Sequence, residues 1–375
     1  MKTQLASPPA IAHLAAWLMA VVLVPAAAQA QVAPTAGQTP PDDEPSIKIG
    51  ATIFADYTFQ QKPTVRDADG NQARPSSFNV ARSYLNVSGK ISRLVAFRIT
   101  PDVSRESGAG SSLSGSMTFR LKYAYAQLNL DDWLPKGTWV RFGIQPTPFL
   151  EAVEGIYRYR FQGTYFIERE GYMASADAGA SVRAAFPGDY GEVHLGLYNG
   201  EGYSRAEAND QKSIQARVAV RLLPTHPLLR GWRVQGFYNA DHVVRDAERT
   251  RAVLNTTFEH KHVNAGFDYL RTKDQVSAVR ASIEGEGWSV WATPKLPKPA
   301  DGSSWEALLR YDRMKPNTAA GGISRRTIAG ASYWFPKQGS VSAALLLDVE
   351  RVSYEDFAPG RPTEQRVFVH MLVAF

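Results

Sequence analysis

The chain has 375 residues, of which 44% are hydrophobic and 21% are charged, and its formal net charge is +6. This composition is too polar for a helical membrane protein and too rich in apolar residues for a disordered chain. Cysteine is absent, which excludes disulfides, thiolate metal sites and a cysteine nucleophile. The basic residues are dispersed rather than gathered into a patch, so no nucleic-acid partner is predicted.

The first thirty residues have the pattern of a secretory signal peptide. Lys2 supplies the positive charge, Ile11 to Val24 form the apolar stretch, and Ala28-Gln29-Ala30 match a small-residue cleavage pattern. A permanent membrane anchor is the alternative, but a histidine and a proline interrupt the apolar run. We therefore predict a cleaved signal peptide at 1–30.

The rest of the chain divides into a short lead-in and one long β-rich region. Residues 31–45 are rich in proline and lack large apolar side chains, which predicts an extended, mobile segment. Residues 46–375 alternate large apolar with small or polar residues, and clusters of Gly, Pro, Asp and Asn separate the alternating segments. A two-residue period is typical of β-strands with two different faces. No stretch after the signal approaches the eighteen or so apolar residues that a helical span needs.

Three segments illustrate the two strand faces. In the first, Phe119, Leu121, Tyr123 and Tyr125 are expected on one face and Arg120, Lys122 and Ala124 on the other. In the second, Val140, Phe142 and Ile144 oppose Arg141, Gly143 and Gln145. In the third, Ile214, Ala216, Val218, Val220 and Leu222 oppose Gln215, Arg217, Ala219 and Arg221. These strands are predicted to be apolar outside and charged inside.

Three features favour a membrane barrel over a soluble β-sandwich, which also alternates. The segments are longer than the usual strands of soluble proteins, and aromatic residues such as Trp133, Trp139 and Trp232 fall near segment ends. The chain also ends in an alternating strand, Val367 to Phe375. That ending resembles the last strand of outer-membrane proteins, which implies that Phe375 is an assembly signal. An ordinary edge strand that ends in Phe is the alternative.

The number of alternating segments sets the size of the barrel. Sixteen are counted, an even number that places both termini on the periplasmic side. The region 273–303, where alternation is poor, is the place where two strands could be miscounted. The predicted fold class is therefore an all-β, antiparallel transmembrane β-barrel of sixteen strands. A barrel of this size leaves an aqueous channel, which predicts a porin in the bacterial cell outer membrane.

One connection between strands is much longer than the others. The segment FLEAVEGIYRYRFQGTYFIEREG, residues 149–171, carries aromatic residues and charges of both signs. Its aromatic content argues against disorder, and a large lumen can accommodate it. We predict an inward-folded third loop that brings Arg158, Arg160 and Arg169 near the constriction. The alternative is an exterior loop that packs on its neighbours.

Basic residues on the less apolar strand faces predict a lumen that prefers anions. They are Arg98, Arg120, Lys122, Arg141, Arg183, Arg217 and Arg221. If Arg158 and Arg160 both point to the axis, they could bind a phosphate or carboxylate bidentately. In the alternative arrangement, both pair with the glutamates of the third loop. Those glutamates are Glu151, Glu154, Glu168 and Glu170.

Three short motifs, in order along the chain, resemble the phosphate-selective porins O and P. They are Leu85-Asn86-Val87-Ser88-Gly89-Lys90, Arg141-Phe142-Gly143-Ile144-Gln145-Pro146-Thr147-Pro148-Phe149 and Gly196-Leu197-Tyr198-Asn199-Gly200-Glu201-Gly202. The resemblance covers most of 46–375. It implies a sixteen-stranded homotrimer, an inward third loop, and basic residues that line a path for small anions such as phosphate. The chain lacks the amino-terminal coiled coil that some members carry.

Two other classes of function stay open at this point. A barrel enzyme such as a hydrolase needs catalytic residues at the rim, but no Gly-rich phosphate cradle or nucleophile elbow is present, so no enzyme is predicted. The closest histidines, His260 and His262, would need a third ligand to hold a metal, and no metal site or cofactor is predicted. A structural barrel or adhesin would have a plugged lumen. Outer-membrane lipid is the other expected partner.

Overall fold

The computed structural model describes residues 43–106 and 110–375, which form one closed antiparallel barrel of sixteen strands. The strands are β1 (Ser46–Lys62), β2 (Ser76–Lys90), β3 (Val95–Arg105), β4 (Met117–Asn129), β5 (Trp139–Pro146), β6 (Ala176–Ala185), β7 (Gly191–Tyr198), β8 (Ser213–Arg221), β9 (Trp232–His242), β10 (Glu248–Glu259), β11 (Val263–Asp274), β12 (Ile283–Pro294), β13 (Ser304–Lys315), β14 (Ile323–Trp334), β15 (Ser342–Glu355) and β16 (Glu364–Ala374). This confirms the predicted fold class, including the count of sixteen. The predicted signal peptide and residues 31–42 of the lead-in lie outside the described residues.

The few remaining elements lie in the connections. Helix α1 (Pro148–Tyr157) and the short helix α2 (Phe166–Arg169) lie between β5 and β6. A 3-10 turn, Pro187–Asp189, follows β6, and a small hairpin pairs Val65–Arg66 with Gln72–Ala73. No helix among the described residues is long and apolar enough to span a membrane.

The barrel closes where its first and last strands meet. Strand β1 pairs with β2 on one side and with β16 on the other, and Thr52 lies opposite Ala374. The closure extends to the last residue, because the backbone N–H groups of Ala51 and Phe375 each donate to the other's carbonyl at 3.0 Å. An antiparallel barrel with an even strand number needs this closure, since any open edge would leave backbone groups unpaired.

Most strands alternate as the sequence pattern predicts. In β8, Ile214 is 58% exposed and Val218 45% exposed on the outer face, whereas Gln215 and Arg217 are buried inside. In β5, Phe142 points outward and Arg141 inward. The apolar outer face suits a lipid environment, and the polar side chains are directed into the lumen.

Two one-residue bulges change the side-chain direction in β2 and β4. The pairing of β1 with β2 skips Ala81, and the pairing of β3 with β4 skips Lys122. An extra residue on one strand turns every following side chain to the opposite face. The expectation that Tyr123 and Tyr125 share the outer face of Phe119 is therefore wrong, because both tyrosines are buried inside the barrel.

Candidate functional site

The third long connection, which we call L3 (residues 147–175), folds into the barrel. Thr147 is extended, Pro148 occupies the first turn of α1, and the helix ends where Arg158 adopts a left-handed backbone conformation with φ 61°. Proline has a φ angle that suits the first helical turn and lacks the N–H that would be unpaired there. The helix therefore starts directly at the end of β5 and points across the lumen.

L3 is anchored by its apolar and aromatic side chains. These residues are Phe149, Leu150, Val153, Ile156, Tyr157, Tyr159, Phe161, Tyr165, Phe166 and Ile167. They pack against the inner wall, with ring centroids 5.1 Å apart for Tyr157 and Trp291 and 5.9 Å apart for Tyr159 and Trp334. Burying each large apolar side chain contributes about 1.5–3 kcal/mol, so this packing holds L3 stably inside the barrel. This arrangement confirms the inward-folded third loop.

All three arginines of L3 have carboxylate partners. Arg158 binds Glu306 of β13 at 2.5 Å, and Arg169 binds Glu350 of β15 at 2.8 Å. Arg160 lies between Glu154 and Glu168 of the loop itself. The side chains of these arginines are only 10–14% exposed. Arg158 and Arg160 thus have separate partners, and the loop's own glutamates hold Arg160.

A second group of cations lines the inner face of β2, β3 and β4, opposite the docked loop. We call this group the cationic wall; its basic members are Arg82, Arg98, Arg120 and Lys122. Asp102 is the carboxylate within it, and one oxygen of Asp102 contacts both Arg82 and Arg120. The side chains of Arg82 and Arg120 are 27% and 35% exposed, whereas those of the loop arginines are 10–14% exposed. The wall carries a formal charge of +3.

Aromatic rings hold the cations of this wall in place. The guanidinium carbon of Arg98 lies 4.6 Å from the ring centroid of Tyr123, and that of Arg120 lies 5.0 Å from Tyr203. The ammonium nitrogen of Lys122 lies 4.9 Å from the Tyr84 ring. A ring face attracts a cation without neutralising it, so these contacts orient the side chains and preserve their charge.

The face of L3 closest to the wall is acidic. Glu154 and Glu168 flank Arg160 there, and both lie within the electrostatic reach of Lys122. Burial alone would raise the pKa of Glu168, but the Arg160 guanidinium, which donates to it at 2.6 Å, more than offsets this. The pKa of Glu168 is lowered to about 2. Glu168 is therefore ionised at neutral pH, within the electrostatic reach of Lys122 of the cationic wall.

The remaining predicted site residues lie nearer the end of the barrel that carries the short turns. Arg141 binds Glu151 at 2.9 Å and stacks on Trp139, with 3.7 Å to the ring centroid. Arg183 and Arg217 share Glu192, and Arg221 pairs with Asp189 of the adjacent turn. The ten predicted cations thus fall into three groups, of which the wall group has the fewest carboxylates.

Three residues of the site were not found by sequence reasoning. Arg82 was missed because a regular strand places it on the same face as Phe78 and Val80, and only the bulge at Ala81 turns it inward. Asp102 was missed because it is one isolated acidic residue in its strand, and its two arginine partners lie on neighbouring strands. Tyr203 belongs to the next long loop, and its hydroxyl lies 3.1–3.2 Å from polar atoms of Arg82, Arg120 and Asp102.

The barrel has the same fold as several solved outer-membrane proteins. An anion-selective porin from Comamonas acidovorans shares 12% identity, with 88% of this chain and 100% of that chain covered and a TM-score of 0.57. The outer-membrane channel DcaP of Acinetobacter baumannii shares 11% identity over 88% of this chain and 97% of that chain, with a TM-score of 0.57. In-vitro folded OmpT of Vibrio cholerae, in trimer form, shares 13% identity over 89% and 100%, with a TM-score of 0.54.

These likenesses are of fold. No family model and no curated protein matches the sequence.

Proposed function

We propose that this protein is an outer-membrane porin whose channel passes small anions by passive diffusion, without turnover. The main support is a difference in carboxylate pairing between the cationic wall and the arginines of L3. The cationic wall combines four basic side chains with one carboxylate, and Arg82 and Arg120 stay accessible. In L3 each arginine is held by at least one glutamate.

The wall is suited to passage rather than tight capture. Arg98 lies four residues from Asp102 along β3, a distance of about 13 Å. Arg98 is the nearer of the two to the end of the barrel that carries the short turns. An anion can therefore leave Arg82 and Arg120 for a second cation further along the path. Asp102 competes with a bound anion for the guanidinium groups of Arg82 and Arg120. This competition weakens anion binding there and favours release of the anion. A low-dielectric barrel wall strengthens the field along this path.

The kind of anion and the assembly are further parts of the proposal. Guanidinium groups bind phosphate and carboxylate through planar, paired hydrogen bonds, so phosphate is among the proposed solutes. The sequence resemblance to phosphate-selective porins supports the same choice. We also propose a homotrimer, since porin-type barrels commonly bury part of their outer strand surface between copies and one structural neighbour is a trimer.

Reversal potentials in a salt gradient test the proposed selectivity. In planar bilayers, the wild type is expected to favour anions, and the triple substitution Arg82→Gln, Arg120→Gln and Lys122→Gln is expected to abolish or reverse that preference. The control is Arg325→Gln, because Arg325 pairs with Glu355 rather than with a residue of the wall, and the two side chains are 33% and 48% exposed. A wild-type potential that favours cations, or unchanged selectivity in the triple variant, would refute the proposal.

Phe375 is proposed as an assembly signal. Its backbone closes the barrel against Ala51, and 56% of the residue is exposed. Deletion of Phe375 is expected to lower the yield of folded barrel several-fold and to leave ion selectivity unchanged, since no lumen side chain is altered. Heat-modifiable gel migration of membrane fractions measures the yield. A normal yield after the deletion would contradict the assignment.

A further inference from the structure

A polar cavity lies beside the channel, at the end of the barrel that carries the long loops. Its volume is about 230 Å³, and the end of L3, the loop 199–212 and strands β6, β8, β9 and β10 line it. We call it the side cavity. None of the residues of the cationic wall lines it, and Tyr203, which contacts the wall, lies in the chain between the lining residues Gly202 and Ser204. Pockets for drug-sized ligands have volumes of about 300–1,000 Å³, so this cavity suits a smaller solute.

The charged groups of the side cavity are mostly satisfied by other protein groups. Arg249 donates to Asp241 at 2.8 Å, and Arg251 donates to Asp274 at 2.7 Å. The carboxylate of Asp177 accepts two backbone N–H groups, at 2.7 and 2.8 Å. Three cations and three carboxylates line the cavity, so its formal charge is zero and it offers little net attraction to a free anion or cation; they are Arg205, Arg249, Arg251, Asp177, Glu201 and Asp241.

Two polar side chains in the same cavity have unsatisfied groups. Gln215 is buried, with 4% of the residue exposed. Its Oε1 atom is buried without a partner among the described residues, and so is Oε1 of Glu201. Buried polar atoms in folded proteins nearly always have partners, so a missing partner marks a place for a ligand or water. Both residues line the cavity.

The donor and acceptor pattern identifies the class of ligand. The amide of Gln215 offers an N–H donor and a carbonyl acceptor, and Glu201 offers an acceptor. A hydroxyl group both donates and accepts, whereas an ammonium group only donates and a carboxylate only accepts. A solute with several hydroxyls can therefore satisfy Gln215 and Glu201 together. We propose that the side cavity binds a small uncharged polyhydroxylated solute of monosaccharide size.

Saturation-transfer NMR with glucose tests this site on the full-length protein in detergent. Wild-type protein is expected to give a saturable glucose signal. Gln215→Leu removes the amide and is expected to weaken binding about tenfold, as loss of one or two hydrogen bonds predicts. Gln211→Leu is the matched control, because Gln211 lies in the same loop region but binds Asp246 outside the cavity. That variant is expected to bind like the wild type.

Several results would overturn the proposal. They are the absence of a saturable signal with the wild type, equal affinity in Gln215→Leu and the wild type, and displacement of glucose by equimolar glycine or inorganic phosphate. If Gln215→Leu does not fold, Glu201→Gln replaces it, with an expected loss of about threefold, and unchanged affinity there would also refute the site. Glucose binding is measured without any conductance measurement, so the side-cavity proposal can fail while the proposed anion selectivity holds, and the reverse is also possible.

Discussion

The arginines of L3 and those of the cationic wall have the same chemistry but different partners. Arg158 and Arg169 reach carboxylates on distant strands, and Arg160 is enclosed by the loop's own glutamates. Arg82 and Arg120 share a single carboxylate, that of Asp102, and their side chains remain partly exposed. The number of arginines in the lumen therefore does not predict the electric field that acts on a passing ion. The pairing of each arginine decides whether it holds the fold or attracts a solute.

The largest expected effect comes from breaking the L3 anchor. Arg158→Ala leaves Glu306, whose side chain is 2% exposed, without its guanidinium partner. Removing one member of a buried pair costs about 3–5 kcal/mol, which is less than the apolar packing of L3 contributes, so the loop is expected to stay docked but to loosen around position 158. Single-channel conductance should rise, and the thermal unfolding temperature should fall. Arg325→Gln is the control, and unchanged conductance in Arg158→Ala would show that the segment around Arg158 does not narrow the channel.

A smaller change is expected from removing the carboxylate of the cationic wall. Asp102→Asn takes away the one negative charge that Arg82 and Arg120 share, so anion preference in a salt gradient should increase by a few-fold. Asp56→Asn is the matched control, because Asp56 binds Thr58 and Asn79 rather than a wall cation. Equal shifts in the two variants would mean that the wall is not the selective element.

The smallest expected effect is a pH dependence of loop docking. Glu168 has a pKa of about 2 against an ordinary value of 4.5, so its ionised form stabilises the folded state above pH 4.5. That contribution is lost as pH falls from about 4.5 to about 2. The difference in unfolding temperature between wild type and Glu168→Gln should therefore shrink over this range. A difference that stays constant from pH 7 to pH 2 would contradict the Glu168–Arg160 assignment.

Most of the fold could be predicted from local patterns. The period-two alternation, the turn residues and the long aromatic insert are all properties of neighbouring residues, and they led to sixteen strands and an inward loop. The region of poor alternation still contains a strand, Ile283–Pro294, where glycines and tryptophans interrupt the simple pattern. The candidate site was predicted less well, because the ten predicted cations fall into three groups rather than one.

Strand periodicity is a local property, so the residue pattern alone predicts the barrel and the inward direction of most of the predicted basic residues. The tertiary structure decided which arginines are paired. Arg158 and Glu306 are 148 positions apart, and nothing near either residue indicates the other. It also decided the two bulges, which bring Arg82 and Tyr123 into the lumen. A bulge depends on how two strands pair, and that pairing is not encoded within either strand alone.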